Sequence, residues 1–299
     1  MSTVSARARL SSRGLVAAAA ATTVSTWASA FVVIRHVGRQ FSPGPLSLLR
    51  IGVAAIVLTL AMLVRRERRP GPGHLSGVVL CGIAWFGFYN LALNEGERRI
   101  DAGTAAMVVY LGPVLIAVLA GWLLKEGFPR RLLAGCFVSL MGVVLIGVSN
   151  SGDTGDPLGV ILCLGAAILY AIGVVAQKPA LAHSSSLSVT WLACVAGTAV
   201  CLPFLPGLVH ELATATTGAI LGGLYLGVIP TALAFTTWAF ALSRSTAGRM
   251  GGISYLVPAL AVLMGWIFLG EVPSALAILG GGVVIAGVIL GLQRPSATR

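Results

Sequence analysis

Residues 101–131 read DAGTAAMVVYLGPVLIAVLAGWLLKEGFPRR, and residues 246–276 read TAGRMGGISYLVPALAVLMGWIFLGEVPSAL. The second stretch is the first again, displaced by 145 positions: Tyr110 falls on Tyr255, Pro113 on Pro258 and Glu126 on Glu271. The register continues through Gly135 and Gly280 and through Gly142 and Gly287. Residues 102–147 share 13 identities in 46 gapless positions with their counterpart, where composition alone would give a handful. About half the chain is therefore written twice. Each copy is too long and too apolar for a soluble helical hairpin.

Composition explains what that repeat is built for. At 299 residues the chain is 57% hydrophobic and 10% charged, with a mean hydropathy of +0.95. Apolar runs of roughly 20 residues recur throughout, the length that crosses ~30 Å of hydrocarbon as a helix. Transmembrane β-strands alternate polar and apolar residues and would break such runs, so a barrel is excluded. The net charge of +11 sits in short Arg clusters at the ends of apolar runs. That is a membrane-topology pattern rather than a basic face, so the bilayer is the expected partner and nucleic acid is not. The five cysteines (81, 136, 163, 194 and 201) lie inside apolar runs without a CxxC pair, so neither a disulfide nor a metal is expected. No cofactor is expected either.

Residues 1–13 read as a disordered cytoplasmic tail, followed by a first span from Gly14 to about Ile34. Ala28-Ser29-Ala30 after an alanine-rich run resembles a signal-peptide cleavage site. The apolar run continues past it, however, and residues 25–35 align with 168–178, which places the segment inside the duplicated unit. Further spans fall at about 43–64, 74–94, 102–124, 128–149, 156–177, 187–208, 216–240, 246–269 and 273–292. The expected fold is an all-α integral membrane protein of ten transmembrane helices. Its parts are a first five-helix repeat at 14–149, a second at 156–292 and a cytoplasmic tail at 293–299. With a cytoplasmic N-terminus, fifteen Lys and Arg fall inside and four outside, which puts both termini in the cytoplasm. Five spans per copy is an odd number, so the copies are inverted relative to one another. Such repeats place a substrate near the midplane and permit alternating access.

Catalytic groups are nearly absent. All nine acids fall in loops or at span ends, the four histidines are terminal too, and no Ser/His/Asp set lies at membrane depth. An enzyme is not expected, and an intramembrane enzyme is kept only as the lesser alternative. Arg50 is the exception, about seven residues into its span and roughly 10 Å deep. A charge there must face protein or a water-filled cavity. It reads either as an anchor for a substrate carboxylate or as a clamp on helix-terminal carbonyls. Trp27, Tyr89, Tyr110, Tyr170, Trp238 and Tyr255 lie toward the middles of spans, whereas Trp122 and Trp266 sit near span ends as interfacial residues. The mid-span set reads either as an aromatic wall around a cavity or as packing inside the bundle. Asn90 and Gln177 offer neutral hydrogen-bonding groups of the same kind.

Pro113 and Pro258 fall mid-span, where each removes a helical hydrogen bond and bends its helix, as a hinge or a shaper of the cavity. The duplicated glycines read as sites of close helix packing. Glu126 and Glu271 precede Pro129 and Pro273 and read as caps for the fifth and tenth helices, not as proton carriers.

In order and spacing these features resemble the ten-helix drug/metabolite transporter superfamily of EamA type, over nearly the whole chain. The resemblance rests on Pro45-Leu-Ser-Leu-Leu-Arg50, on Tyr89-Asn-Leu-Ala-Leu93, on Pro113 with Glu126, and on Pro258 with Gly270-Glu271. Ala193 stands where the second copy would repeat Arg50, so any role of Arg50 is asymmetric. The resemblance implies export of small metabolites across the bacterial inner membrane, and a monomer is among the oligomeric states that the sequence leaves open. The aromatic residues make it most like the branch that exports aromatic amino acids. Drugs, phosphorylated sugars and nucleotide-sugars are the alternative cargoes, but a phosphorylated one wants several cavity cations, and only Arg50 and Lys178 are on offer.

Overall fold

The computed structural model describes residues 2–100, 105, 108–150, 156–270 and 272–293, and among these every regular element is a helix. The first half comprises α1 (Ser2–Val37), α2 (Pro43–Arg65), α3 (Pro72–Gly96), α4 (Gly112–Leu123) and α5 (Arg130–Asn150). The second comprises α6 (Pro157–Gln177), α7 (Ser186–Thr214), α8 (Thr217–Ser243), α9 (Ala247–Phe268) and α10 (Ala275–Leu292). Nine of these contain a stretch long and apolar enough to cross a membrane. The tenth expected segment contains α4, with Val108 and Val109 helical ahead of a turn at residues 110–111.

Local sequence accounts for the helix starts. Asp156 accepts from the Leu158 N–H at 2.9 Å, with Pro157 in the first turn, and Ser185, Thr216, Thr246 and Ser274 cap their helices in the same way. Residues 2–13, expected to be disordered, are instead continuous with α1, because no Gly or Pro interrupts the chain before Gly14. Glu271 and residues 294–299 lie outside the described residues.

Packing follows the duplication. Helices α5 and α10, α2 and α7, and α4 and α9 each lie against their own counterpart. Further contacts come in equivalent pairs: α1 on α8 with α6 on α3, α1 on α9 with α6 on α4, and α2 on α8 with α7 on α3. A network that maps onto itself when the halves are exchanged is a pseudo-twofold arrangement. With five helices per half, the two halves run in opposite directions. Close approach of α5 to α10 needs glycine, since a Cβ on Gly287 would sit 2.4 Å from Ser139 Oγ, and one on Gly142 would sit 2.6 Å from the Gly280 carbonyl oxygen.

Two prolines bend the central helices as their positions require. Pro113 leaves the Val109 carbonyl, and Pro258 the Ser254 carbonyl, without its helical donor. Tighter bonds form beside each break, from Leu111 N to Val108 O at 3.2 Å and from Tyr255 N to Gly252 O at 3.4 Å. Helices α3 and α8 are disturbed at matching places too, by π-helical segments at Gly82–Phe88 and Val228–Leu233.

The turn between α8 and α9 is held from outside. The Glu126 carboxylate accepts from the backbone N–H groups of Ala247 at 2.8 Å and Gly248 at 3.2 Å. Glu126 therefore caps α9 of the other repeat, not α5 as expected. Lys125 and Gly127 adopt φ values of 55° and 74°, and this local reversal aims the carboxylate away from α5. The Lys178 ammonium donates to the Leu242 and Ser245 carbonyls of the same turn. On the opposite side of the bundle, Arg99 bridges Glu95 at 2.9 Å and Asp156 at 3.1 Å, tying the end of α3 to the start of α6. The Leu158 N–H, and then Arg99, hold the Asp156 carboxyl below the usual carboxylate range.

Candidate functional site

A cavity of about 130 Å³ lies between the two halves, walled by α1, α2, α3, α6, α8, α9 and the turn ahead of α4. Six of the expected residues line it: Trp27, Arg50, Tyr89, Asn90, Tyr110 and Tyr170. Val109 and Ser254 line it as well, so both residues whose carbonyls the duplicated prolines release belong to its wall. Polar groups deprived of a helical partner are tolerated at membrane depth where they border a cavity.

Three expected residues are not in the wall. Trp238 is fully buried one layer behind Trp27, with ring centroids 5.1 Å apart. Tyr255 is fully buried among Val143, Ile146 and Val284, in the packed seam of α5 and α10. Its mate Tyr110 lies 6.1 Å away and does face the cavity. Gln177 is buried at the end of α6, away from the lining. The correction has one cause. Successive crossings put the ends of α1 and α3 on one side and the 242–248 turn on the other. Phe31, Ile34, Leu93 and Asn94 extend the cavity toward the connections at 38–42 and 98–100. Tyr110, Leu93 and Ile34 therefore meet open space where their counterparts Tyr255, Trp238 and Gln177 meet packed protein.

Trp85 and Phe235 complete the aromatic wall. Trp85 packs on Tyr170 at 4.9 Å and on Phe235 at 4.8 Å, and Trp27 meets Phe235 at 5.2 Å. The edge-on and tilted geometries are those that aromatic rings favour. Phe235 carried no signal in sequence beyond its apolarity. Val109 and Ser254 could have been found, because each stands four residues before a duplicated proline.

Polar groups are few and specifically held. The Asn90 Nδ2 donates to the carbonyls of Trp85 at 3.3 Å and Phe86 at 2.9 Å within the α3 π segment. With both neighbours acceptors, the amide must turn its NH2 to them, which leaves Oδ1 as the free acceptor. The Tyr170 hydroxyl donates to Ser254 Oγ at 3.2 Å. Arg50 is the cation of the wall, and its Nε donates to Thr231 Oγ1 at 2.7 Å. No acid and no histidine is among the lining residues. Lys178 does not contribute, because its ammonium is committed to the 242–245 carbonyls. Ala193, the counterpart of Arg50, is fully buried, and its carbonyl would meet a Cβ on Gly82 at 2.5 Å. Such a site can hold a small, partly apolar molecule with one anionic group. Among the described residues, no group of metal-ligating side chains is present.

Comparison with known proteins places these features in a lineage. A family model described as the EamA-like transporter family matches residues 14–148 and 157–292. A probable terminal-alkyne amino-acid exporter of Streptantibioticus cattleyicolor is 37% identical over 93% of this chain and 93% of its own length. The uncharacterized transporter YdfC of Bacillus subtilis is 32% identical over 89% of this chain and 87% of its own. A probable amino-acid metabolite efflux pump of Escherichia coli is 28% identical, covering 90% and 92%. One crystal structure superposes with a TM-score of 0.79 at 21% identity, over 93% of this chain and 96% of its own, a likeness of fold.

Proposed function

Because the chain belongs to the EamA-like transporter family and is a multi-pass membrane transporter of small metabolites rather than an enzyme, we propose that its cargo is an amino acid with an aromatic or other hydrophobic side chain. One observation carries this reading: an aromatic-walled cavity between inverted repeats, with one guanidinium and no lining acid. The aromatic faces suit an apolar side chain, Arg50 suits the carboxylate, and Asn90 Oδ1 suits the ammonium. The amino-acid exporter and efflux pump among the relatives support export, and the bias of Lys and Arg supports cytoplasmic termini in a bacterial inner membrane. Pro113 and Pro258 serve as the bends about which the repeats rock.

Movement is downhill. A proton-driven carrier needs an ionisable group on the substrate path that binds and releases a proton. The wall offers no carboxylate and no histidine, and its arginine stays charged at any physiological pH. The deciding experiment is counterflow in proteoliposomes against a panel of amino acids, monocarboxylates, sugar phosphates and nucleotide-sugars, with and without a pH gradient. Exchange of hydrophobic amino acids, independent of the gradient, is expected. Preference for a phosphorylated cargo, or uphill uptake abolished by a protonophore, would overturn the reading. A C-terminal reporter active only outside the cytoplasm would overturn the orientation.

A further inference from the structure

We propose that Thr231, which does not itself line the cavity, is the positioning residue that makes Arg50 a seat for a carboxylate. The proposal rests on the reading of the cavity as an amino-acid site and extends it to a residue that touches no cargo.

The argument begins with a missing hydrogen. Pro230 has no N–H, so the Leu226 carbonyl, four residues earlier, loses the donor that an α-helix would supply. The Thr231 hydroxyl takes that place and donates to the Leu226 carbonyl at 2.7 Å, within the π segment of α8. A hydroxyl has one hydrogen. With that hydrogen committed, Thr231 Oγ1 can only accept from Arg50, and the Arg50 Nε–H donates to it at 2.7 Å. Thr231 is 1% exposed, so water does not compete for either bond. The relay therefore has a fixed direction, from guanidinium to hydroxyl to carbonyl.

Its consequence is the orientation of what remains. Guanidinium has five N–H donors, and Nε uses one. The other four, on the two terminal nitrogens, have no partner among the described residues, and Arg50 lines the cavity. Two parallel donors in a rigid plane match the two oxygens of a carboxylate. A side chain from the first repeat is thus aimed by a backbone defect in the second. Ser or Thr at residue 231 can do this, whereas Val, of the same shape, cannot.

The test uses counterflow on matched pairs, each carboxylate of the panel against its carboxamide. Thr231→Val should raise the half-saturation concentration for the carboxylate by roughly tenfold, the worth of one charge-assisted hydrogen bond. Maximal rate and transport of the carboxamide should be unchanged, and Thr231→Ser should restore wild-type values. In an Arg50→Lys background Thr231→Val should add nothing, because lysine has no planar fork to aim. Equal losses on acid and amide, additive effects in the double variant, or a wild-type profile for Thr231→Val would each overturn the proposal. If Thr231→Val fails to fold, Thr231→Ala, which also removes the hydroxyl from the relay, decides by the same contrast of acid and amide. A wild-type protein that moves another carboxylate instead of amino acids removes the proposed cargo and leaves the seat standing. A cargo without a carboxylate removes the seat.

Discussion

Glu126, beyond the end of α4, caps the helix that begins at Ala247 in the other repeat, its carboxylate 2.8 Å from that backbone nitrogen. With Lys178 on the Leu242 and Ser245 carbonyls, an anion holds the amide end of one helix and a cation the carbonyl end of the preceding one. Both lie on the side that the cavity does not reach, so this pair closes it. Glu126→Ala should populate the state open on that side. In a protein keeping Cys136 as its one cysteine, maleimide labelling should quicken by roughly tenfold, the worth of a lost charged cap. Cys136 is 2% exposed against α9, so an unchanged rate would show that the cap does not hold the gate.

Aromatic truncations should sort by position. Trp27→Ala and Tyr110→Ala each remove cavity wall and should lower transport by about tenfold or more, since each buries a large ring against others. Trp122 and Trp266 are 73% and 50% exposed on the outer surface of the bundle. Their replacement by Ala should leave initial rates in proteoliposomes within about twofold.

The seam between α5 and α10 sets a stability threshold. A methyl on Gly287 would meet Ser139 Oγ at 2.4 Å and the Ser139 backbone nitrogen at 2.5 Å, and backbone cannot yield as a flexible side chain does. Gly287→Ala should destabilise the protein by about 1–3 kcal/mol. Gly282, one turn away, has open space around its missing Cβ, so Gly282→Ala should be neutral or slightly stabilising. Thermal unfolding in detergent compares the two.

Acidification should release the Arg99–Asp156 tie. The Asp156 carboxyl titrates lower in the folded chain than in the unfolded one, through its bonds to Leu158 N–H and Arg99. Its contribution is therefore complete above the ordinary carboxylate range and fades as pH falls through the depressed folded value. Asp156→Asn should lower Tm at neutral pH, and the gap from wild type should close toward strongly acidic pH. A gap independent of pH would show that the carboxylate charge is not its source, since asparagine caps a helix as well as aspartate does.

Features that a short stretch of chain determines were legible in sequence. Apolar length marked the spans, duplication marked the inversion, and Pro113 and Pro258 marked the bends that border the cavity. What depended on which face of the bundle is open was not legible. Tyr110 and Tyr255 are alike in sequence, yet one faces the cavity and the other is packed away. Glu126 was readable as a cap, but its partner lies 121 residues on, across a turn whose direction Lys125 and Gly127 decide. Thr231 gave no sign at all, although the proline before it announces an orphaned carbonyl to anyone who counts back four residues.

The mismatch between Arg50 and Ala193 bears on direction of flow. Two halves that exchange shapes would, if chemically identical, present the same affinity to both compartments. Here one half brings a guanidinium and the other a buried methyl group, so half-saturation on the two faces is free to differ. Thermodynamics still equates the forward and reverse ratios of kcat to KM for an uncoupled carrier of neutral cargo. A lower affinity on one face must then be matched by a faster turnover from it. On the proposed reading of downhill export, the carrier would stay unsaturated by a cytoplasm rich in cargo and return slowly when cargo is scarce, a one-way bias in rate that draws on no energy source.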